Sequence, residues 1–247
     1  MPDNQTFEVK NNEKDELRVD ALGAKITLIL NGTPILGAFT RGDGKAGMTH
    51  PCTPVFGPDS KNLYGLKQHG NMRNEHMSVQ HVADNVIVAH EITDPGYPVG
   101  VTVKQIMGVE EGAFSFVMMH SNNGSEEAAV NGGEHCYFVA PSGYKGTTIN
   151  GKDVSKLIEE NYDGFAIPLE EINTIQIPGQ PELKLKQNGF GYAMVWVGKN
   201  PETKEIDQNY VCIEPVEGDP TSDFFGSPAS MLQPGATRSA MFTIDLS

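Results

Sequence analysis

The chain is poor in cysteine, tryptophan and positive charge. Its 247 residues hold three Cys, one Trp and 18 Lys+Arg against 32 Asp+Glu, a formal net charge of −14 at pH 7. Cys52, Cys136 and Cys212 are an odd number and far apart. That spacing excludes a disulfide framework and a zinc knuckle, and reads as reduced thiols in a cytoplasmic protein. The acidic excess excludes nucleic acid and anionic membrane surfaces as partners. No run of eighteen apolar residues is present, so no transmembrane helix is expected. The opening stretch MPDNQTFEVKNNEKDE lacks a basic region followed by an apolar core, so no leader peptide is expected. No segment repeats with a period of 20–50 residues, which argues against a propeller or solenoid.

Metal-binding spacings are missing too. His69, His76 and His81 are close in sequence, but no H-x-H, H-E-x-x-H or C-x-x-C occurs. Separations of seven and five also put these histidines on opposite faces of any regular strand. No metal is expected. The segment GDGKAG (42–47) matches a dinucleotide-binding glycine pattern, but that chemistry needs a helix behind the glycines. The prolines at 51, 54 and 58 forbid one, so the segment reads as a turn.

What the chain has in quantity is glycine (27), proline (16) and period-two alternation. KITLIL sets Ile26, Leu28 and Leu30 on one face. VGVTV does so with Val99, Val101 and Val103, AFSFVM with Phe114, Phe116 and Met118, and SAMFTIDL with Ala240, Phe242, Ile244 and Leu246. Turn signals such as LNGTP, TDPGYP, SNNGS and QPGAT separate these runs. DVSKLIEEN (153–161) is the one convincing helical stretch, with Asp153 placed to cap it. The pattern predicts an all-β fold, a large antiparallel sandwich with one or two short helices, formed as a single domain over 1–247.

Two apolar segments carry chemistry. NGGEHCYFVAP (131–141) puts Glu134 and His135 just before Tyr137 and Phe138. QNYVCIEPVEG (208–218) puts Glu214 directly before Pro215. A carboxylate in so apolar a run must be solvated at a cleft or hydrogen-bonded. Pro215 suggests that Glu214 ends a strand.

The order of the segments resembles the aldose 1-epimerase (galactose mutarotase-like) family, including its hexose-6-phosphate mutarotase branch. QHGNMRN (68–74) is similar to the family's H-G-x-x-R segment, GGEHCYF to its second histidine element and YVCIEPVEG to its glutamate element. THPCTPVFGP resembles the proline-rich segment before the first histidine, and LQPGATRSAMFTI the closing turn and strand. The resemblance implies a β-supersandwich and interconversion of the α and β anomers of an aldose, with no cofactor. It implies Glu214 as general base on the anomeric hydroxyl, His135 as general acid at the ring oxygen, and His69 as a hydrogen-bonding partner there. Arg73 would bind sugar hydroxyls or a phosphate, and Asp163 would bind sugar hydroxyls. The ligand implied is a small sugar, free or phosphorylated. The phosphate branch carries an arginine and paired glycines where this chain reads GKAGMTHPCTP, with Arg41 and Lys45 as the nearby cations. The remaining readings are a sugar-binding protein without chemistry and a glycoside-cleaving enzyme using Glu214 with Asp163. Monomer and homodimer are both compatible with the sequence.

Overall fold

The computed structural model describes residues 5–246. Residues 1–4 of the polar N-terminal stretch and Ser247 lie outside the described residues. The alternating runs form two large antiparallel sheets. One has ten strands. Its path runs Thr6–Asn11, Asp15–Asp20, Lys25–Leu30, Thr33–Leu36, Tyr137–Val139, Tyr210–Val216, Gly133–His135 and His50–Cys52. Tyr192–Trp196 joins the free edge of Tyr210–Val216, and Phe165–Pro168 follows it. The other sheet has nine strands, centred on Thr237–Leu246, Ala113–Asn122 and Val101–Glu110.

The two sheets share one hydrophobic core. Leu17, Val19, Ile26 and Leu28 of the first meet Val86, Val88, Val103, Phe114, Phe116, Phe242 and Ile244 of the second. Phe116 and Phe242 stack with ring centroids 4.8 Å apart. Alternation places these side chains inward, and their burial contributes roughly 1.5–3 kcal/mol each before entropy is counted. Val99 departs from the expected pattern. The strand begins at Val101, and Val99 is 81% exposed in the preceding turn.

The short helix covers Ser155–Glu160, where Asp153 accepts the Ser155 backbone N–H at 2.7 Å. A 3-10 turn covers Met72–Asn74. GDGKAG is the turn of a hairpin, Ala38–Thr40 against Ala46–Met48. It is pinned to a neighbouring loop by the Gly42 N–H donating to Asp207 (3.1 Å) and by Asn200 donating to the Gly42 carbonyl (2.9 Å). Among the described residues, no helix is long and apolar enough to cross a membrane.

Candidate functional site

Strand Tyr210–Val216 is buried along its whole length because both of its faces are covered. Val211 and Ile213 enter the inter-sheet core, while Tyr210, Cys212 and Glu214 turn the other way. Pairing at Tyr137↔Cys212 and again at Gly133↔Val216 fixes the register and sets His135 opposite Glu214. Across the interval between those pairs, residues 134–136 and 213–215 face each other without ladder pairing. Pro215, which has no N–H to offer, lies in that gap. Glu214 therefore sits inside its strand, not at the end. Pro215 breaks pairing on one side only, since it still pairs with Ala193 on the other.

His135 also pairs with His50, and Glu214 with Met194. One row across four strands thus carries His50, His135, Glu214 and Met194. The next row on the same face carries Tyr137, Cys212 and Trp196. All of these but Cys212 line a cleft of about 1220 Å³. The His135 ring stacks on His50 (4.8 Å, 28°) and on Tyr137 (4.8 Å, 13°), with the edges of Trp196 and His69 each 5.8 Å away. Gly47 permits the Tyr137 ring to lie where it does, since a Cβ there would stand 2.6 Å from the ring.

His69 comes from a loop. Its backbone is left-handed (φ +65°), as is that of Gly70 (φ +66°). A Cβ at residue 70 would lie 2.0 Å from the Thr53 carbonyl oxygen, so only glycine fits behind this histidine. The left-handed conformation of His69 costs on the order of 1 kcal/mol. Two bonds to Gly57 hold it: the His69 N–H donates to the Gly57 carbonyl (2.9 Å), and the Gly57 N–H donates to His69 Nδ1 (3.1 Å). Because Nδ1 accepts, neutral His69 carries its proton on Nε2. Arg73 follows on the 3-10 turn, tied by Nη2 to the Gln68 carbonyl at 3.0 Å.

Burial dominates the electrostatics. It raises the Glu214 carboxyl well above the usual range and drives His135 well below, helped by His50, His69 and Arg73. Burial likewise holds His69 and His50 down to about 3, with Arg73 adding to both. His135 Nδ1 lies 3.5 Å from Glu214 Oε1. Burial therefore favours the uncharged form of both groups. Glu134, next to His135 in sequence, points the other way. It is fully buried, accepts from Gln105 Nε2 at 3.0 Å, and is raised by burial.

The structure brings His69, Arg73, His135 and Glu214 to one cleft, with Asp163 among its lining residues. Asp163 is exposed at the rim near Lys199, whose amine is held below its usual range by burial while the charge of Asp163 partly offsets that shift. His76 lies away from this cleft, exposed just before strand Ser78–Val82. Sequence reasoning missed His50 and Trp196 as cleft residues, and it named Tyr137 only as a neighbour of His135. Arg41, noted only as a source of charge, lies 4.9 Å over the Trp196 ring and pairs with Asp43 at 2.8 Å. Nothing local marks His50. Only the strand register reveals it.

His135, Cys212 and Glu214 offer three ligand atoms within 4.8 Å of one another. A cation there would need the thiol and the carboxyl deprotonated, yet burial raises both.

The fold is that of galactose mutarotase-like β-sandwich proteins. The galactose mutarotase related enzyme of Lactobacillus acidophilus superposes with a TM-score of 0.77 at 14% identity, over 98% of this chain and 97% of that one. A putative aldose 1-epimerase of Escherichia coli gives 0.75 at 14%, over 98% and 99%. A galactose mutarotase-like protein of Lactobacillus casei gives 0.74 at 18%, over 98% and 100%. No family model matches the chain, and no curated protein matches it significantly.

Proposed function

We propose that the protein is an aldose mutarotase. The observation that carries this reading is the convergence of His69, His135 and Glu214 on one aromatic-floored cleft, in a fold shared with aldose 1-epimerase-like structures. In the reaction, Glu214 takes the proton of the C1 hydroxyl while His135 gives one to the ring oxygen. The C1–ring oxygen bond breaks and leaves an open-chain aldehyde. Rotation about C1–C2 and reversal of both transfers close the ring from its other face.

The cyclic sugar therefore coexists with a charged pair, carboxylate and imidazolium. The open chain coexists with an uncharged pair, carboxylic acid and imidazole. Burial makes the charged pair a minority state, and from that state the two transfers to the uncharged pair accompany ring opening without building charge in the cleft. The His69 Nε2–H is a donor suited to the ring oxygen or a neighbouring hydroxyl. Trp196 offers an apolar surface to the C–H face of a sugar, with Tyr137 stacked behind His135. Arg73 and Asp163 would bind hydroxyls further from C1.

A phosphorylated sugar is a second reading. Lys25, Arg41, Lys45, Arg73 and Lys199 all line the cleft of a chain whose net charge is −14. Anomer-resolved NMR on aldoses and aldose 6-phosphates tests both. Exchange faster than buffer with either class supports mutarotase activity and selects between the readings. No acceleration with any sugar would sink both.

A further inference from the structure

The proposed mechanism gives His50 no part. His50 is 8% exposed and lines the cleft beside His135. Its Nδ1 lies 2.7 Å from the Met48 carbonyl oxygen. A carbonyl can only accept, so the ring proton sits on Nδ1 and leaves a bare lone pair on Nε2. That atom is buried and has no hydrogen-bond partner among the described residues. His69 has the opposite tautomer, with its proton on Nε2. The two histidines that flank His135 thus present opposite polarity, one a lone pair and the other an N–H.

From this geometry we infer that His50 is a specificity-determining residue that accepts a hydrogen bond from one hydroxyl of the bound sugar. The inference rests on the mutarotase reading and adds a rule about the substrate. At the corner facing His50 the ligand must carry an O–H. An ether oxygen, a carboxylate or a phosphate would set lone pair against lone pair, and a deoxy carbon would leave Nε2 buried and unpaired. If the substrate carries a phosphate, that group lies at another corner of the cleft. His50 does not exchange protons with the sugar, because donation to Met48 and burial keep it neutral.

Two measurements test this. The first reads the ring nitrogens of isotope-labelled protein by long-range proton–nitrogen NMR. His50 is expected as the Nδ1–H tautomer and His69 as the Nε2–H tautomer. A protonated Nε2 on His50 overturns the inference whatever the activity. The second measures anomer exchange for glucose, galactose and their monodeoxy derivatives at carbons 2, 3, 4 and 6, using the wild type, His50→Phe and His50→Gln. One deoxy position is expected to lower wild-type kcat/KM by about 10- to 100-fold. The same deletion should cost His50→Phe less than about 2-fold, and His50→Gln, which restores an acceptor, should recover the sensitivity.

Equal sensitivity of wild type and His50→Phe at every position overturns the inference. If His50→Phe does not fold, His50→Asn, whose shorter amide withdraws the acceptor, replaces it under the same criteria. If no sugar exchanges, the mutarotase reading falls on its own and the NMR measurement decides for His50. A sugar that moves the resonances of both His135 and His50 Nε2 supports the inference. One that moves His135 alone overturns it.

Discussion

Two histidine–glutamate pairs lie buried in this molecule at the same spacing. His135 Nδ1 is 3.5 Å from Glu214 Oε1, and His120 Nδ1 is 3.5 Å from Glu217 Oε1. What surrounds them differs. His120 has Thr53 Oγ1 at 2.6 Å from its other nitrogen. Glu217 has Arg238 at 3.4 Å, whose guanidinium also donates to the carbonyls of Ala229 (2.9 Å) and Met231 (3.1 Å). The outer atoms of that pair, His120 Nε2 and Glu217 Oε2, are bonded to protein groups, which ties it to the strand Thr237–Leu246. The His135–Glu214 pair opens on the cleft, and among the described residues no Lys or Arg is paired with Glu214. The comparison teaches that a His–Glu contact is not in itself a reactive site. On the proposed reading, reactivity belongs to the pair left without further partners beside a space that a ligand can enter.

The sharpest way to break the comparison is to remove one carboxylate from each pair. Glu214→Gln should lower the anomer-exchange rate by about 10²–10⁴-fold, the usual worth of a positioned acid–base group. It should leave the melting temperature equal or higher, because a neutral amide replaces a carboxyl that burial disfavours. Glu217→Gln should do the reverse: it deprives Arg238 of its counter-charge, costs about 1–3 kcal/mol of stability, and leaves activity per folded molecule within about 3-fold. Kinetics and chemical denaturation on both variants decide the matter. Loss of activity in Glu217→Gln without unfolding would erase the distinction.

Gly70→Ala comes next, because it strikes the loop that brings His69 to the cleft. The added Cβ would meet the Thr53 carbonyl at 2.0 Å, on a left-handed backbone. A loss of about 2–3 kcal/mol is expected, with exchange activity falling alongside. A variant as stable and as active as wild type would show that the loop has room it does not show here.

The third prediction concerns pH. His50 and His69 have folded pKa values of about 3, below the unfolded 6.5. Between those values the unfolded chain binds more protons, so their contribution to stability is whole above pH 6.5 and drains away as pH falls towards 3. Glu134 has the opposite sign. Its raised folded pKa gives stability that is present at low pH and lost as pH rises above 4.5. Glu134→Gln should therefore gain stability over wild type as pH rises, by about 1 kcal/mol or more at neutral pH. The acid-side loss should persist in this variant. Denaturation midpoints across pH 3–9 test both limbs, and an unchanged alkaline limb would place Glu134 in a more polar setting than its burial implies.

The sequence was legible where one side of a strand faces the core. KITLIL, AFSFVM and SAMFTIDL alternate because the sheets bury one face of each, and alternation survives in a single sequence. Residues of the site were legible where a motif is local: His69 with its glycine, His135 before Tyr137, and Glu214 in an apolar strand. The cleft itself was not. His50 meets His135, and Cys212 meets Trp196, only through strand pairings between segments distant in sequence. Register between such strands leaves no periodic trace. Pro215 also misled, because it reads as a strand end and in fact occupies a gap in one ladder of a strand that continues.

The smallest effect is expected at Asp163, where the resemblance to known mutarotases and the structure give different weights. The resemblance makes it a sugar-binding carboxylate, and it does line the cleft. Yet it is exposed at the rim beside Lys199, while Glu214 is 2% exposed on the floor. A hydrogen bond offered from solvent competes with water and is worth about 0.5–1.5 kcal/mol. Asp163→Asn should therefore raise KM by no more than about 10-fold and leave kcat unchanged, since a rim contact is made equally to the ring and to the open chain. A fall in kcat like that of Glu214→Gln would move Asp163 into the chemistry. It would also revive the reading in which the two carboxylates act on a glycosidic bond, which hydrolysis assays on aryl glycosides would then decide.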